Sequence, residues 1–219
     1  MGAEKGRHYN RRSRSSRMAL NHTSVNVITG ATGSGKTTLM RALLGRRPVR
    51  ERWAVLMNDF GTSRLASPSD PHLAEVEVRE VAGCICCSGQ LVLRTALVSL
   101  VRESRPDRVL IEASAAAEPT ALFEVLRAAG LASALHVNTV TATAAVGQLT
   151  DTRYVSLALY REQIGAADVV VLTAPAAATV QERDAARVAL GDIIAAGTRV
   201  IEDMREVGPE VLDREHSSS

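Results

Sequence analysis

The sequence has few aromatic residues: one Trp, three Tyr and two Phe among 219 residues. Such a chain lacks the aromatic platform on which nucleic-acid bases stack. It also lacks any apolar run near the ~18 residues that a membrane span requires, and its basic beginning has no apolar core of a secretory signal. We therefore expect a cytoplasmic protein without a membrane-spanning segment.

The chain also lacks an excess of positive charge once residues 1–17 are left out of the count. The formal net charge is +2, but residues 1–17 alone carry +5, which leaves −3 on the remainder. We interpret residues 1–20 as a disordered basic arm, either a solvated tail or sequence upstream of a start at Met18. The mildly acidic remainder argues against a nucleic-acid-binding core.

Cysteine occurs only three times, at Cys84, Cys86 and Cys87. Adjacent cysteines would form a strained bridge, so this cluster is not a disulfide framework. Three thiolates so close together can bind one divalent transition metal and leave a fourth position open, which suits a metal that is passed on. His72 or His136 could supply a fourth ligand. Buried cysteines that act as small apolar residues, or a redox thiol, are the alternatives.

The motif with the clearest chemistry lies at residues 30–38, which fit the phosphate-loop pattern G-x-x-x-x-G-K-[ST]. An apolar stretch typical of a strand precedes it, and a helical pattern follows. Backbone N–H groups of such a loop bind phosphate oxygens, its lysine reaches the β- and γ-phosphates, and its hydroxyl ligates Mg²⁺. The predicted nucleotide-binding residues are Gly30, Gly33, Ser34, Gly35, Lys36, Thr37 and Thr38.

Apolar strands alternate with helices through the rest of the chain, which predicts a doubly wound α/β fold with a mainly parallel sheet and helices on both faces. We expect one nucleotide-binding domain at residues 21–206 and a polar tail at 207–219. The predicted strands are 24–29, 53–57, 76–81, 108–112, 136–142, 169–172 and 198–201. The predicted helices are 37–44, 90–103 (a buried helix), 119–130, 154–167 and 179–197, the last begun by a capping box at Thr179 and Glu182.

Two acids follow predicted strands, and ligands in such sheets bind where the strands end. Glu112 ends an apolar strand, as a Walker B acid does, and could hold Mg²⁺ or orient the attacking water. Asp59 could join the magnesium shell, position water, or only begin a turn, with Asn58 orienting it. We predict Lys36, Asp59 and Glu112 as catalytic residues, with Thr37 and Glu112 at the Mg²⁺ site.

Several segments, taken in order, resemble the CobW-like metal-chaperone GTPases. These segments are the phosphate loop at 30–38, residues 58–61 (NDFG), 83–87 (GCICC), 112–114 (EAS) and 161–164 (REQI). The resemblance covers residues 24–212. It implies a P-loop GTPase that binds zinc, cobalt or a similar ion at the cysteines and loads it into a client metalloprotein or a cofactor-synthesis enzyme, with the nucleotide gating the transfer.

The chain also departs from that family. The family's Asn-Lys-x-Asp motif, whose carboxylate recognises guanine, is replaced by residues 173–176 (TAPA), so GTP and ATP both remain candidates. Its Glu-x-Ser-Gly ends here in Ala115, and an aspartate expected between 139 and 145 is absent. The family's C-terminal domain is not expected within this chain.

We expect slow hydrolysis of the β–γ phosphate bond. The alternative is a non-hydrolysing relative that acts as a metal-binding or regulatory protein. A P-loop kinase would explain the loop but not the cysteines.

Overall fold

A computed structural model describes residues 22–58, 75–81, 89–128, 130–174 and 176–214. Within these ranges seven strands form one parallel sheet in the order β3-β2-β4-β1-β5-β6-β7. The strands are β1 (Thr23–Thr29), β2 (Trp53–Met57), β3 (Glu77–Glu80), β4 (Arg108–Glu112), β5 (Leu135–Ala145), β6 (Val169–Thr173) and β7 (Arg199–Ile201). The predicted doubly wound α/β fold is confirmed.

Helices cover both faces of this sheet. They are α1 (Lys36–Gly45), α2 (Gln90–Ser104), α3 (Pro119–Arg127), α4 (Val146–Leu149), α5 (Thr152–Val155), α6 (Ala158–Gly165) and α7 (Val180–Gly191), followed by 3₁₀ helices at Met204–Glu206 and Pro209–Leu212. Side chains of α2, α3, α6 and α7 pack in one apolar cluster, whereas α1 and the last 3₁₀ helix pack in the other. Within the described ranges, no helix combines the length and the apolar character needed to cross a bilayer.

Several predicted elements differ from those in the structure. The predicted helix at 154–167 is two helices, α5 and α6, because Leu157 between them has extended backbone. The capping box at Thr179 and Glu182 is confirmed, but α7 ends at Gly191 instead of near 197. Helix α2 is amphipathic and not fully buried: Leu93, Leu97 and Leu100 face the core, whereas Leu91 and Val92 are exposed.

The largest difference concerns the predicted polar tail at 207–219. Val207, Val211 and Leu212 are buried against the face of the sheet that α1 covers. These three apolar residues are spaced through a polar stretch without the periodicity of a helix or a strand. They pack beside α1 in the same apolar cluster. Residues 207–212 are therefore part of the domain core. The predicted arm at residues 1–20 lies outside the described residues.

Tyr160 gives a test of how the core is packed. Its ring lies 5.7 Å from that of Tyr154, centroid to centroid, and its buried hydroxyl has no hydrogen-bond partner within the described part of the chain. Burial raises the pKa of Tyr160 above its ordinary value of 10.0. We expect Tyr160→Phe to keep the ring contact, remove the unsatisfied hydroxyl and stabilise the protein by up to about 1 kcal/mol.

Urea unfolding at several pH values checks this prediction. The folded state holds the Tyr160 proton more tightly than the unfolded state, so wild-type stability should fall as the pH rises above 10, and the variant should lose that contribution. Tyr154→Phe, at the half-buried partner ring, is the matched control for the loss of a hydroxyl. A clear loss of stability in Tyr160→Phe would contradict the prediction.

Candidate functional site

The phosphate loop connects the end of β1 to the start of α1. Gly30 has φ +135°, and a Cβ there would lie 2.5 Å from the Thr143 carbonyl oxygen, so only glycine fits. Gly35, just before α1, has φ +103° and a Cβ there would lie 3.0 Å from the Thr173 methyl group. Gly33 is also left-handed, at φ +77°. The three glycines therefore allow the tight turn that a phosphate cradle requires.

Lys36 lies across this loop and is only 5% exposed. Its ammonium Nζ donates to the carbonyl oxygens of Gly30, at 2.9 Å, and Ala31, at 3.1 Å. These contacts hold the positive charge over the loop, where phosphate oxygens would lie. Thr38 is exposed in the first turn of α1.

Thr37 and Glu112 come together although 75 residues separate them. The Thr37 hydroxyl donates to Glu112 Oε1 at 3.1 Å, and the Glu112 side chain is fully buried at the end of β4. Strand β4 pairs with β1, so its last residue lies at the same sheet edge as the phosphate loop. A hydroxyl and a carboxylate beside a phosphate loop are the oxygen donors that fit Mg²⁺, which keeps several of its waters.

Three residues that the sequence analysis did not identify also hold the loop. Thr143 of β5 bonds the Ser34 hydroxyl at 2.6 Å, and Thr173 of β6 donates to the Ser34 carbonyl oxygen at 2.7 Å. Gln148 of α4 donates to the Thr32 carbonyl oxygen at 2.8 Å. No sequence motif marks these residues, because their contacts depend on how the strands β1, β5 and β6 are ordered.

The loop after β4 is held by Gln163 of α6, which the resemblance included without a role. Its buried amide donates to the carbonyl oxygens of Ala115 and Ala117, both at 3.0 Å. The backbone φ of Ala115 is not positive. The alanine in place of the family's glycine therefore causes no backbone strain in this conformation.

The predicted cysteines lie outside the described residues, as do Asp59 and His72. Within the described ranges, no group of three or more His, Cys, Asp and Glu side chains could hold a metal ion. Val81 is the last described residue before the cysteines: its N–H donates to the Met57 carbonyl oxygen, and Asn58 Nδ2 donates to the Val81 carbonyl oxygen at 3.3 Å. Met57 pairs with Glu112, so Val81 lies at the end of the sheet that carries the phosphate loop.

His136 lies at the end of the sheet where the strands begin, opposite to the end that carries the phosphate loop. It is the second residue of β5 and pairs with Ser24 near the start of β1, beside His22 and Asp107. The phosphate loop follows the other end of β1. Because the cysteines lie outside the described residues, His136 as a fourth ligand stays a prediction, although His136 lies at the end of the sheet away from the phosphate loop.

Comparison with known proteins adds a family match. A family model described as the CobW/HypB/UreG nucleotide-binding domain matches residues 24–193. The zinc chaperone YeiR of Escherichia coli is 33% identical over 153 residues, which cover 68% of this chain and 45% of that protein. The zinc-regulated GTPase metalloprotein activator 1 of Schizosaccharomyces pombe is 34% identical over 112 residues, or 48% of this chain and 27% of that protein. The chain thus spans less than half the length of these curated relatives.

Solved structures support the fold. The Zn(II)-bound YjiA GTPase of E. coli superposes with a TM-score of 0.58 at 17% identity, covering 87% of this chain and 61% of that one. The hydrogenase maturation factor HypB of Archaeoglobus fulgidus gives a TM-score of 0.50 at 18% identity, covering 84% and 82% of the two chains. At such low identities the similarity concerns the arrangement of strands and helices.

Proposed function

Because this chain belongs to the CobW/HypB/UreG nucleotide-binding family, we propose that it is a nucleotide-dependent metal chaperone. It binds GTP or ATP with Mg²⁺ at the phosphate loop and a divalent transition metal, zinc or cobalt, at Cys84, Cys86 and Cys87. Hydrolysis gates transfer of the metal to a client metalloprotein or cofactor-synthesis enzyme. The observation that carries the proposal is the contact between Thr37 and Glu112 beside Lys36.

Each residue of the loop has a role in binding the triphosphate. The N–H groups around Gly33 and Gly35, together with the start of α1, provide the positive end of a helix for phosphate oxygens. Lys36 neutralises charge on the β- and γ-phosphates. Thr37 and Glu112 would hold Mg²⁺, which when bound neutralises charge on the same phosphate oxygens.

The proposed reaction is hydrolysis of the terminal phosphate. The oxygen of a water molecule bonds to the γ-phosphorus as the bond from phosphorus to the β–γ bridging oxygen breaks. Nucleoside diphosphate and inorganic phosphate form, and the proton passes to solvent. In this proposal Lys36 stabilises charge that develops on the bridging oxygen, and Asp59 orients the water.

The proposed coupling between nucleotide and metal rests on the position of Val81. Val81, the last described residue before the cysteines, bonds to Met57 and Asn58 at the end of β2, and Glu112 ends the neighbouring strand β4. A triphosphate that contacts this edge would also change the surroundings of the thiolates. Metal affinity should then differ between the triphosphate and diphosphate states.

Metal analysis under different nucleotides tests this function. We expect about one zinc or cobalt ion per chain, retained at least ~10-fold more tightly with a non-hydrolysable triphosphate than with diphosphate, which corresponds to a typical coupling free energy. Cys86→Ser should lose the metal but keep the nucleotide. Lys36→Ala should lose nucleotide binding and phosphate release but keep the metal. Equal metal affinity in both nucleotide states would remove the gating.

A specific observation favours the second candidate, a relative that binds without hydrolysing. Thr173 begins the segment that replaces the guanine-recognition motif. Its hydroxyl donates a hydrogen bond to the Ser34 carbonyl oxygen of the phosphate loop. No carboxylate stands at residues 173–176. Phosphate release no faster in wild type than in Lys36→Ala, with metal still bound, would support this regulatory or metal-buffering function.

A further inference from the structure

Gln148 contacts the phosphate loop from outside the motif. It belongs to α4, the short helix that directly follows β5, and its side chain is only 8% exposed. Its Nε2 donates to the carbonyl oxygen of Thr32, the third residue of the loop, at 2.8 Å. A carbonyl oxygen only accepts hydrogen bonds, so the amide NH₂ must face the loop.

This bond determines the direction of the neighbouring N–H group. The Thr32 carbonyl and the Gly33 N–H belong to one planar trans peptide and point in opposite directions. A hydrogen bond that holds the carbonyl toward α4 therefore turns the Gly33 N–H away from α4. In a phosphate cradle the N–H groups must face the anion, and a carbonyl oxygen turned inward would repel it.

The Ser34 N–H donates to the Ala31 carbonyl oxygen at 3.1 Å and closes a turn around this peptide, but such a bond is compatible with either orientation of the central peptide, as in type I and type II turns. Gly33 has φ +77°, and among the described residues a Cβ built on it would meet no atom within 4 Å. Glycine adopts positive and negative φ almost equally well, and the peptide before it can rotate easily. The hydrogen bond from Gln148 is a polar restraint that can set the orientation of this peptide.

The other side of the contact is rigid. Val146 and Leu149, on either side of Gln148, are buried in the core. Gln148 Oε1 is buried and has no hydrogen-bond partner among the residues that the structure describes. The amide is therefore oriented by Thr32, and the core fixes the helix from which it projects.

We propose that Gln148 is a positioning residue of the phosphate loop, holding the Thr32 peptide so that the Gly33 N–H faces the bound phosphates. The inference rests on the proposed nucleotide binding and extends it to a residue outside the loop. Gln148 itself does not touch the substrate. Its removal leaves the motif residues in place but lets the Thr32 peptide turn.

Nucleotide titration of matched variants tests the proposal. With Mg²⁺ and GTP as the probe, Gln148→Met, which keeps length but lacks the donor, should raise Kd about 10-fold, the effect of losing one buried hydrogen bond. Gln148→Glu should raise it by roughly 100-fold at pH 8, because a carboxylate cannot donate to Thr32 and repels phosphate. Thr150→Val, which removes a hydroxyl that donates to the Val146 and Gly147 carbonyl oxygens of its own helix, should bind as wild type.

Two further readouts separate positioning from general damage. The Gln148→Glu defect should shrink relative to wild type as the pH falls, since a protonated carboxyl group is neutral and can donate. In the nucleotide-free protein, backbone amides at 32–34 should exchange with solvent faster in Gln148→Met, while β1 and β5 keep wild-type exchange. If Gln148→Met does not fold, Gln148→Glu, which keeps the shape of the side chain, provides the same comparisons.

The outcomes are distinguishable. Unchanged Kd and unchanged exchange at 32–34 in Gln148→Met overturn the positioning role while wild-type binding stands. A loss of affinity that only parallels a general loss of protection overturns it as well. Wild-type protein that binds no nucleotide overturns the proposed function, and the exchange measurement then still decides whether Gln148 holds the loop.

Discussion

Glu112→Gln is expected to slow nucleotide hydrolysis by at least about 100-fold while the protein remains folded. Glu112 is fully buried at the end of β4 and accepts a hydrogen bond from the Thr37 hydroxyl at 3.1 Å. Glutamine keeps the shape of the side chain and an oxygen that can accept from Thr37. What it removes is the negative charge that would attract Mg²⁺ or polarise the attacking water, and that charge is the reason for a large effect.

Phosphate release with Mg²⁺ and GTP or ATP measures this effect, with a melting temperature to show that the variant is folded. Glu124→Gln, an exposed carboxylate on α3, is the matched control and should hydrolyse at the wild-type rate. The Kd for the triphosphate should change much less than the rate. A Glu112→Gln variant with normal turnover would mean that this carboxylate only ends a buried strand.

Arg108→Ala is expected to lower the free energy of unfolding by about 2–3 kcal/mol, because it removes a buried guanidinium and leaves the buried Asn26 oxygen without its donor. Arg108 is 8% exposed at the start of β4. Its guanidinium donates to Asn26 Oδ1 at 2.7 Å and to Asp213 Oδ1 at 2.8 Å, and it stacks 5.4 Å from the Trp53 ring centroid. Asn26 in turn donates to the Leu212 carbonyl oxygen at 2.6 Å.

The effect should be large because the Arg108 side chain bonds both to β1 and to the segment that ends at Asp213. Without Arg108, the Asn26 oxygen stays buried without its donor, and Asp213 keeps only its bond from Asn138 among the described side chains. Urea unfolding measures the change. Arg102→Ala, an exposed arginine on α2, should change stability by no more than about 0.5 kcal/mol. A loss below 1 kcal/mol in Arg108→Ala would show that the apolar contacts of Val211 and Leu212 suffice.

Arg108→Lys should recover little of this stability. The planar guanidinium reaches Asn26 and Asp213 from two separate nitrogens, whereas a lysine ammonium is a single point charge. A lysine that restored wild-type stability would indicate that charge alone, without the fork geometry, holds the segment.

The elements best predicted from the sequence are those with a local cause. Strands β2 and β4 begin and end at the predicted residues because each is a short apolar run bounded by polar residues. The start of α7 was predicted from a capping box, whose two hydrogen bonds join residues only three apart. Elements that depend on distant partners were predicted poorly, as the division into α5 and α6 and the burial of Val207 show.

The candidate site divides in the same way. Gly30, Lys36 and Thr37 were identified because the chemistry of phosphate binding requires a fixed local spacing. Glu112 was identified because it ends an apolar strand, and its contact with Thr37 agrees with the rule that parallel strands bring their carboxyl ends together. Thr143, Thr173 and Gln148 were missed because each contacts the loop across more than a hundred residues of sequence.

By itself, the sequence determined the fold class, the phosphate loop and the acid that faces it, since alternation of apolar runs and the spacing of a motif are properties of neighbouring residues. Only the tertiary structure decided that His136 lies at the far edge of the sheet, that residues 207–212 belong to the core, and that Gln148 holds the Thr32 peptide. These outcomes depend on the order of the strands and on contacts between side chains that are distant in sequence. A local sequence pattern determines neither the strand order nor these contacts.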